Sequence, residues 1–179
     1  GQIEEVIEAA LTQYDRMDIL VNNAGLVWPL EDVADSDPDE WAYNIHVNLV
    51  GPYNMAHNVL PVMIEQGYGR IINISSVNGQ RAQFGQCNYA AAKAGMHGFT
   101  KTLAIEVAQK GVTVNTISPG YIATDMVMAV DESVREKIVK GIPIGRLGGT
   151  YEIAHLVSFL ASKDAAFITG ANYAINGGQ

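Results

Sequence analysis

Three side chains that can act on a carbonyl group lie close together in the middle of the sequence. Tyr89 and Lys93 are four residues apart in an alanine-rich stretch, so on a helix both point to one face. Ser76 precedes Tyr89 by thirteen residues and follows the apolar run 70–74, where a strand should end. A hydroxyl, a phenol and an ammonium around one carbonyl oxygen can polarise it and protonate it after hydride transfer.

Acid–base chemistry predicts a role for each of these groups. A free phenol has a pKa of about 10 and is a poor acid–base catalyst near neutrality. A cation one helical turn away favours the phenolate, and Lys93 supplies that cation. We therefore predict that Tyr89 donates the proton, that Lys93 lowers the pKa of Tyr89, and that Ser76 hydrogen-bonds the substrate oxygen.

Helices and strands alternate along the chain around these residues. Apolar residues recur with a helical period over 2–14, and Asp37 with Glu40 forms a capping pattern that starts a long helix running to about Gln66. Two more helices are predicted over 89–110, ended by Gly111, and over 151–160. Short apolar runs predict strands over 18–22, 69–75, 112–118 and 171–176. This alternation predicts an α/β fold, a single domain with a parallel sheet and helices on both faces.

Composition and charge limit the partners of this domain. The chain has 179 residues, a net charge of −8 and one cysteine, Cys87. The negative charge argues against nucleic acid and anionic membranes as partners, and no apolar run approaches the ~20 residues of a membrane span. The single cysteine fits a reducing cytoplasm, and the histidines lack metal-ligand spacing. We expect a cytoplasmic protein that binds a small molecule and no metal, nucleic acid or membrane.

Six short runs, in this order, resemble the short-chain dehydrogenase/reductase family. They are "NNAG" at 22–25, "HVNLVG" around Asn48, "NISS" at 73–76, "NYAAAK" at 88–93, "SPGYIATDM" at 118–126 and "ITGANYAINGG" at 168–178. The resemblance covers essentially the whole chain. It implies a Rossmann-type, doubly wound parallel sheet and an NAD(P)-dependent oxidoreductase.

The resemblance also implies the remaining site residues. Asn48 joins Ser76, Tyr89 and Lys93 as a catalytic residue that shapes the first long helix and holds a water linking the lysine to solvent. The cofactor is expected to be NADPH, with NADH not excluded. Its adenosine ribose is expected along 22–25 and its nicotinamide at 119–122 and Thr124. The implied cofactor-binding residues are Asn22, Asn23, Ala24, Gly25, Tyr89, Lys93, Pro119, Gly120, Ile122 and Thr124.

Within the family, the runs 75–104 and 111–127 are most similar to acetoacetyl-CoA reductases, which reduce a short 3-oxoacyl thioester with NADPH. This similarity implies that five residues line the substrate pocket: Ser76, Gln83, Phe84, Gln86 and Tyr121. The run "LVWPLEDVADSDPDEW" departs from those reductases, because Trp28 and Pro29 replace a basic and an acidic residue there. The alternatives are a 3-oxoacyl group on acyl-carrier protein, another acyl group, or a different ketone or alcohol.

The start of the chain departs further from the family. Members begin with a strand and a TGxxxGxG turn whose backbone N–H groups hold the pyrophosphate, and no such turn is present here. We expect a domain without its first βαβ elements, which binds dinucleotide poorly and leaves a sheet edge uncovered.

A catalytically silent assembly protein is therefore an alternative to an enzyme. In this family the two long helices, here 40–66 and 89–110, commonly pair subunits, so a homo-tetramer or homo-dimer is expected. The presence of all four catalytic residue types favours the enzyme. A sugar-nucleotide epimerase shares the Tyr–Lys spacing but is normally much longer.

Overall fold

A four-stranded parallel sheet forms the centre of the computed structural model, which describes residues 1–179. Its strands, in sheet order, are β1 (Ile19–Asn22), β2 (Gly69–Ile74), β3 (Val112–Pro119) and β4 (Asn172–Ile175). Along β1 and β2 the register runs from Ile19 opposite Arg70 to Asn22 opposite Asn73. Since all strands are parallel, their carboxyl ends meet at one edge, where open α/β sheets bind ligands.

Helices cover both faces of this sheet. They are α1 (Gln2–Tyr14), α2 (Pro38–Ile45), α3 (Gly51–Gln66), α4 (Cys87–Val107), α5 (Asp125–Met128), α6 (Glu132–Lys140) and α7 (Thr150–Ala161). Ile71 packs with residues of α1, α3 and α4, whereas its neighbour Ile72 packs with Leu160 of α7. Successive strand residues point to opposite faces, so strands covered on both sides are apolar throughout. The predicted fold class is confirmed.

The long helix predicted up to Gln66 contains a feature that the sequence pattern did not predict. Between α2 and α3 the chain forms one π-helical turn, His46–Val50, with Asn48 at its centre. A π turn inserts an extra residue into the helix and shifts the following side chains around the axis. The predicted helix is therefore continuous in space, but its middle is widened at a predicted catalytic residue.

The other predicted boundaries agree with the structure to within about two residues. α4 begins at Cys87, and after a 3₁₀ turn at Ala108–Lys110 the chain reverses at Gly111. Gly111 has φ +78, and a Cβ there would lie 2.0 Å from the carbonyl oxygen of Gly67. Only glycine fits this turn without displacing the backbone. None of the helices has the length and apolar character to cross a lipid bilayer.

Strand β1 lies at the edge of the sheet and is less covered than its neighbours. Ile19 is 48% exposed and Val21 is 39% exposed, whereas Ile71 and Ile72 on β2 are fully buried. Helix α7 packs against β2 and β3. An apolar, incompletely covered edge was expected here.

Candidate active site

Ser76 and Tyr89 meet at the carboxyl edge of the sheet. Ser76 follows β2 in extended conformation, and its hydroxyl oxygen accepts a hydrogen bond of 3.1 Å from the backbone N–H of Asn78. Since this bond uses the oxygen as an acceptor, the hydroxyl proton stays available for another partner. Tyr89 lies in the first turn of α4, and its side chain lines the same cavity as Ser76. The two groups can therefore contact the same substrate oxygen.

Lys93 lies one turn further along α4 and is only 3% exposed. Its ammonium donates a hydrogen bond of 2.9 Å to the backbone carbonyl of Ile74, at the end of β2. Burial penalises the charged form and lowers the pKa of Lys93 to about 8. An ammonium has three N–H donors, so Lys93 keeps donors for a further acceptor.

The pKa of the Tyr89 phenol differs from the lowered value that the sequence predicts. Burial raises the pKa of Tyr89 above its usual value, and the neighbouring Ser76 hydroxyl opposes that rise. The Lys93 ammonium lies 5.5 Å from the centre of the Tyr89 ring. Its hydrogen bond goes to Ile74, and the desolvation of the phenol dominates. The net pKa of the phenol is therefore raised in this structure, and the lowering by Lys93 stays a prediction.

Asn48 ties the π turn to the segment that follows β1. Its side chain accepts a hydrogen bond of 3.1 Å from the N–H of Leu26 and donates one of 2.7 Å to the carbonyl of the same residue. It also donates to the carbonyl and the side chain of Asn44, which in turn binds the carbonyls of Leu26 and Trp28. Both asparagines are fully buried. Asn48 thus holds the backbone after "NNAG" in place.

Gly25 brings that backbone close to the catalytic residues. A Cβ at Gly25 would lie 3.0 Å from Oδ1 of Asn48 and 3.5 Å from Nζ of Lys93. The first distance is shorter than ordinary van der Waals contact, so a side chain here would press on Asn48. The "NNAG" segment therefore contacts both Asn48 and Lys93.

A buried chain of polar groups connects β1 to the catalytic helix. Asn22 donates 2.8 Å to Oδ1 of Asn73 on β2, and Asn73 donates 2.9 Å to the hydroxyl of Thr100 on α4. Thr116 on β3 donates 2.7 Å to the same Thr100 oxygen. Buried polar groups with complete partners fix the relative position of the elements that carry them. Asn22 is a buried residue that links β1 to β2 directly and to α4 through Asn73.

Sequence reasoning missed several residues that support the site: Asn44, Asn73, Ser75, Asn78, Thr100 and Thr116. Ser75, the neighbour of Ser76, donates 2.8 Å from its hydroxyl to the carbonyl of Lys93 and thereby fastens α4 to β2. A signal for part of this set existed, because polar residues such as Asn73 interrupt otherwise apolar strands. Polar groups at buried positions need partners, so such interruptions indicate a buried network.

A cavity of about 520 Å³ opens beside Ser76 and Tyr89. That volume is typical of small-molecule sites, which range over about 300–1,000 Å³. Ten of the predicted site residues line it: Asn23, Ser76, Gln83, Gln86, Tyr89, Pro119, Gly120, Tyr121, Ile122 and Thr124. Asn22, Ala24, Gly25, Asn48 and Lys93 lie outside its lining, as does Phe84, whose side chain is 84% exposed.

The donor set around the cavity fits the nicotinamide half of a dinucleotide. The segment 119–124 supplies backbone and side-chain groups along one wall, and Lys93, outside the lining, has unused N–H donors suited to ribose hydroxyls. The sequence contains no TGxxxGxG turn for the pyrophosphate. No group of three His, Cys, Asp or Glu side chains is placed to share a metal ion.

Sequence comparisons relate the whole chain to known reductases. A family model described as enoyl-(acyl carrier protein) reductase matches residues 1–179. The chain is 50% identical over 169 residues to the acetoacetyl-CoA reductase of Cupriavidus necator, covering 93% of this chain and 68% of that protein. It is 54% identical over 166 residues to the acetoacetyl-CoA reductase of Shinella zoogloeoides, covering 91% and 68%.

Two further relatives extend the comparison. The 3-oxoacyl-[acyl-carrier-protein] reductase of Escherichia coli is 46% identical over 179 residues, which are 100% of this chain and 73% of that one. The crystal structure of a levodione reductase superposes with a TM-score of 0.95 at 33% identity, covering 99% of this chain and 72% of that one. The chain therefore spans roughly 70% of the length of these proteins.

Proposed function

The chain belongs to the short-chain dehydrogenase/reductase family of oxidoreductases, and on that premise we propose that it reduces a 3-oxoacyl thioester, acetoacetyl-CoA, with NADPH. The observation that carries this proposal is the meeting of Ser76 and Tyr89 in the wall of the cavity. Two O–H donors on one oxygen suit a ketone that becomes an alkoxide during reduction. Relatives at 46–54% identity are named for reductions of 3-oxoacyl substrates.

In the proposed mechanism, Ser76 donates its hydroxyl hydrogen bond to the 3-oxo oxygen and polarises the carbonyl. When bound, the reduced nicotinamide supplies the hydride that the carbonyl carbon receives. Tyr89 transfers its phenol proton to the same oxygen, so that the alkoxide becomes a hydroxyl group of the product. Lys93 holds a positive charge near the phenolate that remains, and its burial strengthens that interaction. Asn48 keeps the segment after "NNAG" beside Lys93 throughout.

A substrate panel tests the proposal directly. NADPH consumption is followed with acetoacetyl-CoA, with acetoacetyl-acyl-carrier protein and with crotonyl-CoA, which has a C=C bond in place of the ketone. The last substrate addresses the enoyl reduction named in the family description. We expect reduction of the two 3-oxo substrates, with acetoacetyl-CoA preferred, and none of crotonyl-CoA. Preference for crotonyl-CoA would contradict the proposal.

The same panel is applied to two proteins, because the chain lacks a recognisable pyrophosphate turn. The first is the 179-residue chain itself, and the second is this chain fused behind the leading segment of the C. necator reductase. We expect weak NADPH binding by the first and turnover by the second. A fusion that binds NADPH but reduces no ketone would indicate the catalytically silent alternative.

The choice of cofactor and the cellular setting stay predictions of the resemblance. Titration of the fusion would report the leading segment's own preference, so it cannot decide between NADPH and NADH for this protein. The decisive experiment is activity with each cofactor in the protein's native host extract, compared with an extract in which Tyr89→Phe replaces the wild type. Cell fractionation of the same host tests the cytoplasmic location, which rests on the single cysteine.

Self-association through α3 and α4 is also part of the proposal. A groove between these helices is lined by Tyr53, Leu60, Phe99 and Glu106, and the nearby Ile105 of α4 is almost fully exposed. Exposed apolar side chains along a helix pair are typical of subunit interfaces. We expect a dimer or tetramer by light scattering and a smaller species in Ile105→Glu. The matched control is Val134→Glu on α6, which should leave the mass unchanged.

A further inference from the structure

Asn78 is a buried amide in the wall of the cavity that the proposed mechanism does not use. It lies in the 3₁₀ turn Val77–Gly79 and is 9% exposed. Its backbone N–H donates to the hydroxyl of Ser76. Its side-chain NH₂ donates to Oε1 of Gln83, at 3.0 Å, and to Oε1 of Gln86. One residue therefore contacts the predicted catalytic serine and two predicted substrate-binding glutamines.

These contacts determine how the two glutamines present themselves to the cavity. The hydroxyl of Tyr121 also donates to Oε1 of Gln83, at 3.2 Å, so two donors converge on that oxygen. In an amide the oxygen and the NH₂ group diverge from the same carbon. Because the amide oxygens of Gln83 and Gln86 bind Asn78, the NH₂ groups of both glutamines have no hydrogen-bond partner within the protein. Both glutamines line the cavity.

We propose that Asn78 is a positioning residue. By binding the amide oxygens of Gln83 and Gln86 it makes their NH₂ groups face the cavity, and these two donors form a site for a second carbonyl oxygen. The inference rests on the proposed function, in which that oxygen is the thioester carbonyl of the 3-oxoacyl substrate. The two carbonyls of such a substrate are separated by one carbon. Asn78 therefore links the donor for the reacting ketone, Ser76, to the donors for the neighbouring thioester.

The oxygen end of the Asn78 amide is unpaired. Its Oδ1 is buried and has no hydrogen-bond partner. A buried acceptor without a partner is unfavourable, so the arrangement persists only where other contacts impose it. Here two glutamine oxygens hold the NH₂ end of Asn78. If the three amides were inverted, the glutamines would present oxygens to the cavity, and these would repel a substrate carbonyl.

Asn78→Asp tests this polarity because the carboxylate has the same shape but only accepts hydrogen bonds. It should draw the NH₂ groups of Gln83 and Gln86 toward itself and turn their oxygens to the cavity. We expect KM for acetoacetyl-CoA to rise about tenfold or more, since two donors to the substrate are lost. We expect kcat to change by less than about threefold, because the backbone N–H that binds Ser76 is kept.

A pH profile separates this role from a merely structural one. Protonation of the introduced carboxyl returns one donor to the glutamines, so KM of Asn78→Asp should fall as the pH is lowered while the wild-type KM does not. Asn58→Asp is the matched control, because Asn58 on α3 donates only to the carbonyl of Asn54, four residues earlier. Its KM should equal that of the wild type at every pH.

A measurement without turnover distinguishes failure of this inference from failure of the proposed function. In NMR spectra of the 179-residue chain, the side-chain NH₂ groups of Gln83 and Gln86 should exchange with water faster in the wild type than in Asn78→Asp. Equal exchange, or an unchanged KM, would overturn the role of Asn78. A wild type that reduces no 3-oxoacyl thioester, but shows the expected exchange difference, would overturn only the substrate.

Discussion

The two walls of the cavity differ in how firmly the fold holds them. Beside one wall, Lys93, Asn48 and Ser75 are buried and bound to backbone atoms of the sheet, the segment after β1 or α4, and of these three Ser75 lines the cavity. At the other wall, Met126 lines the cavity, and both Met126 and Phe84, which lies outside the lining, belong to exposed segments. The first wall carries the groups proposed for proton transfer, and the second borders the substrate entrance.

This difference agrees with the demands of the two tasks. Proton transfer needs heavy atoms at hydrogen-bond distance, which a buried network maintains. Recognition of different acyl groups needs surfaces that change without disturbing the core, and loops provide them. Asn78 lies between the two walls, because its backbone binds Ser76 and its side chain binds the glutamines. Substitutions on the firm wall should therefore affect rate and stability, and those on the exposed wall should affect KM alone.

The largest effect is expected for Tyr89→Phe in the active reductase. Removal of the phenol oxygen takes away the proposed proton donor, which contributes about 10²- to 10⁴-fold to kcat. NADPH binding and the unfolding midpoint should change little, because the ring keeps its packing. Steady-state kinetics and NADPH titration measure the two quantities. Tyr53→Phe, on α3 outside the cavity, is the control. A wild-type kcat in Tyr89→Phe would exclude the acid role.

Lys93→Met should remove a pH dependence of stability from the firm wall. The pKa of Lys93 is lowered to about 8 from its ordinary 10.5, so between these values the unfolded chain binds more protons than the folded chain. The free energy of unfolding therefore rises with pH in this window, by up to about 1.4 kcal/mol per pH unit. Urea unfolding of wild type and Lys93→Met across pH 7–11 measures it.

The variant should lack this rise and be more stable than the wild type at pH 7, where the buried charge is unfavourable. Lys110→Met, at an exposed position after α4, should retain the rise. If the wild type and Lys93→Met showed parallel profiles, the ammonium would not be desolvated as the structure indicates.

Asn48→Ala should lower the free energy of unfolding by about 1–3 kcal/mol and reduce kcat as well. The substitution leaves the N–H of Leu26 without a partner and removes one of the two hydrogen bonds to its carbonyl, and polar groups that lose their partners on burial are costly. Denaturant unfolding and kinetics measure the two effects. Asn58→Ala removes only a local bond within α3 and should cost less than about 0.5 kcal/mol. Equal losses in both variants would contradict the role of Asn48.

The smallest effect on stability is expected for Phe84→Ala, beside the exposed wall. Because Phe84 is 84% exposed, its removal should change the free energy of unfolding by less than about 0.5 kcal/mol. If the substrate covers this ring, KM should rise a few-fold with kcat unchanged. Leu30→Ala, at another exposed apolar position, is the comparison variant. A stability loss above about 1 kcal/mol would show that Phe84 packs against the protein, contrary to the structure.

Much of this molecule was predictable because local signals agreed with one another. The helical period over 2–14 and the capping residue Asp37 place α1 and α2 at their observed positions. The apolar runs mark all four strands, since strands covered on both faces need apolar residues throughout. The spacing of Ser76, Tyr89 and Lys93 predicts that these residues lie together, and in the structure all three lie at one edge of the sheet.

Other features had no local signal and depended on the tertiary structure. The π turn around Asn48 exists where the helix meets the segment after β1, and no periodicity in 40–66 marks it. The pKa of Tyr89 was predicted from its neighbour Lys93, but burial by the rest of the fold raises it. Phe84 follows the pattern of a pocket residue and yet lies in the solvent.

The sequence by itself determined the order of elements and the fold class, and it predicted the reacting groups, because periodicity, caps and residue spacing are local signals. Only the tertiary structure decided the direction of the Lys93 hydrogen bond, the polarity of the Gln83 and Gln86 amides, and the partners of Asn48. These depend on contacts such as those of Asn48 with Leu26 and of Lys93 with Ile74, which are 22 and 19 positions apart in the chain. Hydrogen bonds and burial across such separations are set by how the elements pack, which no short stretch of sequence specifies.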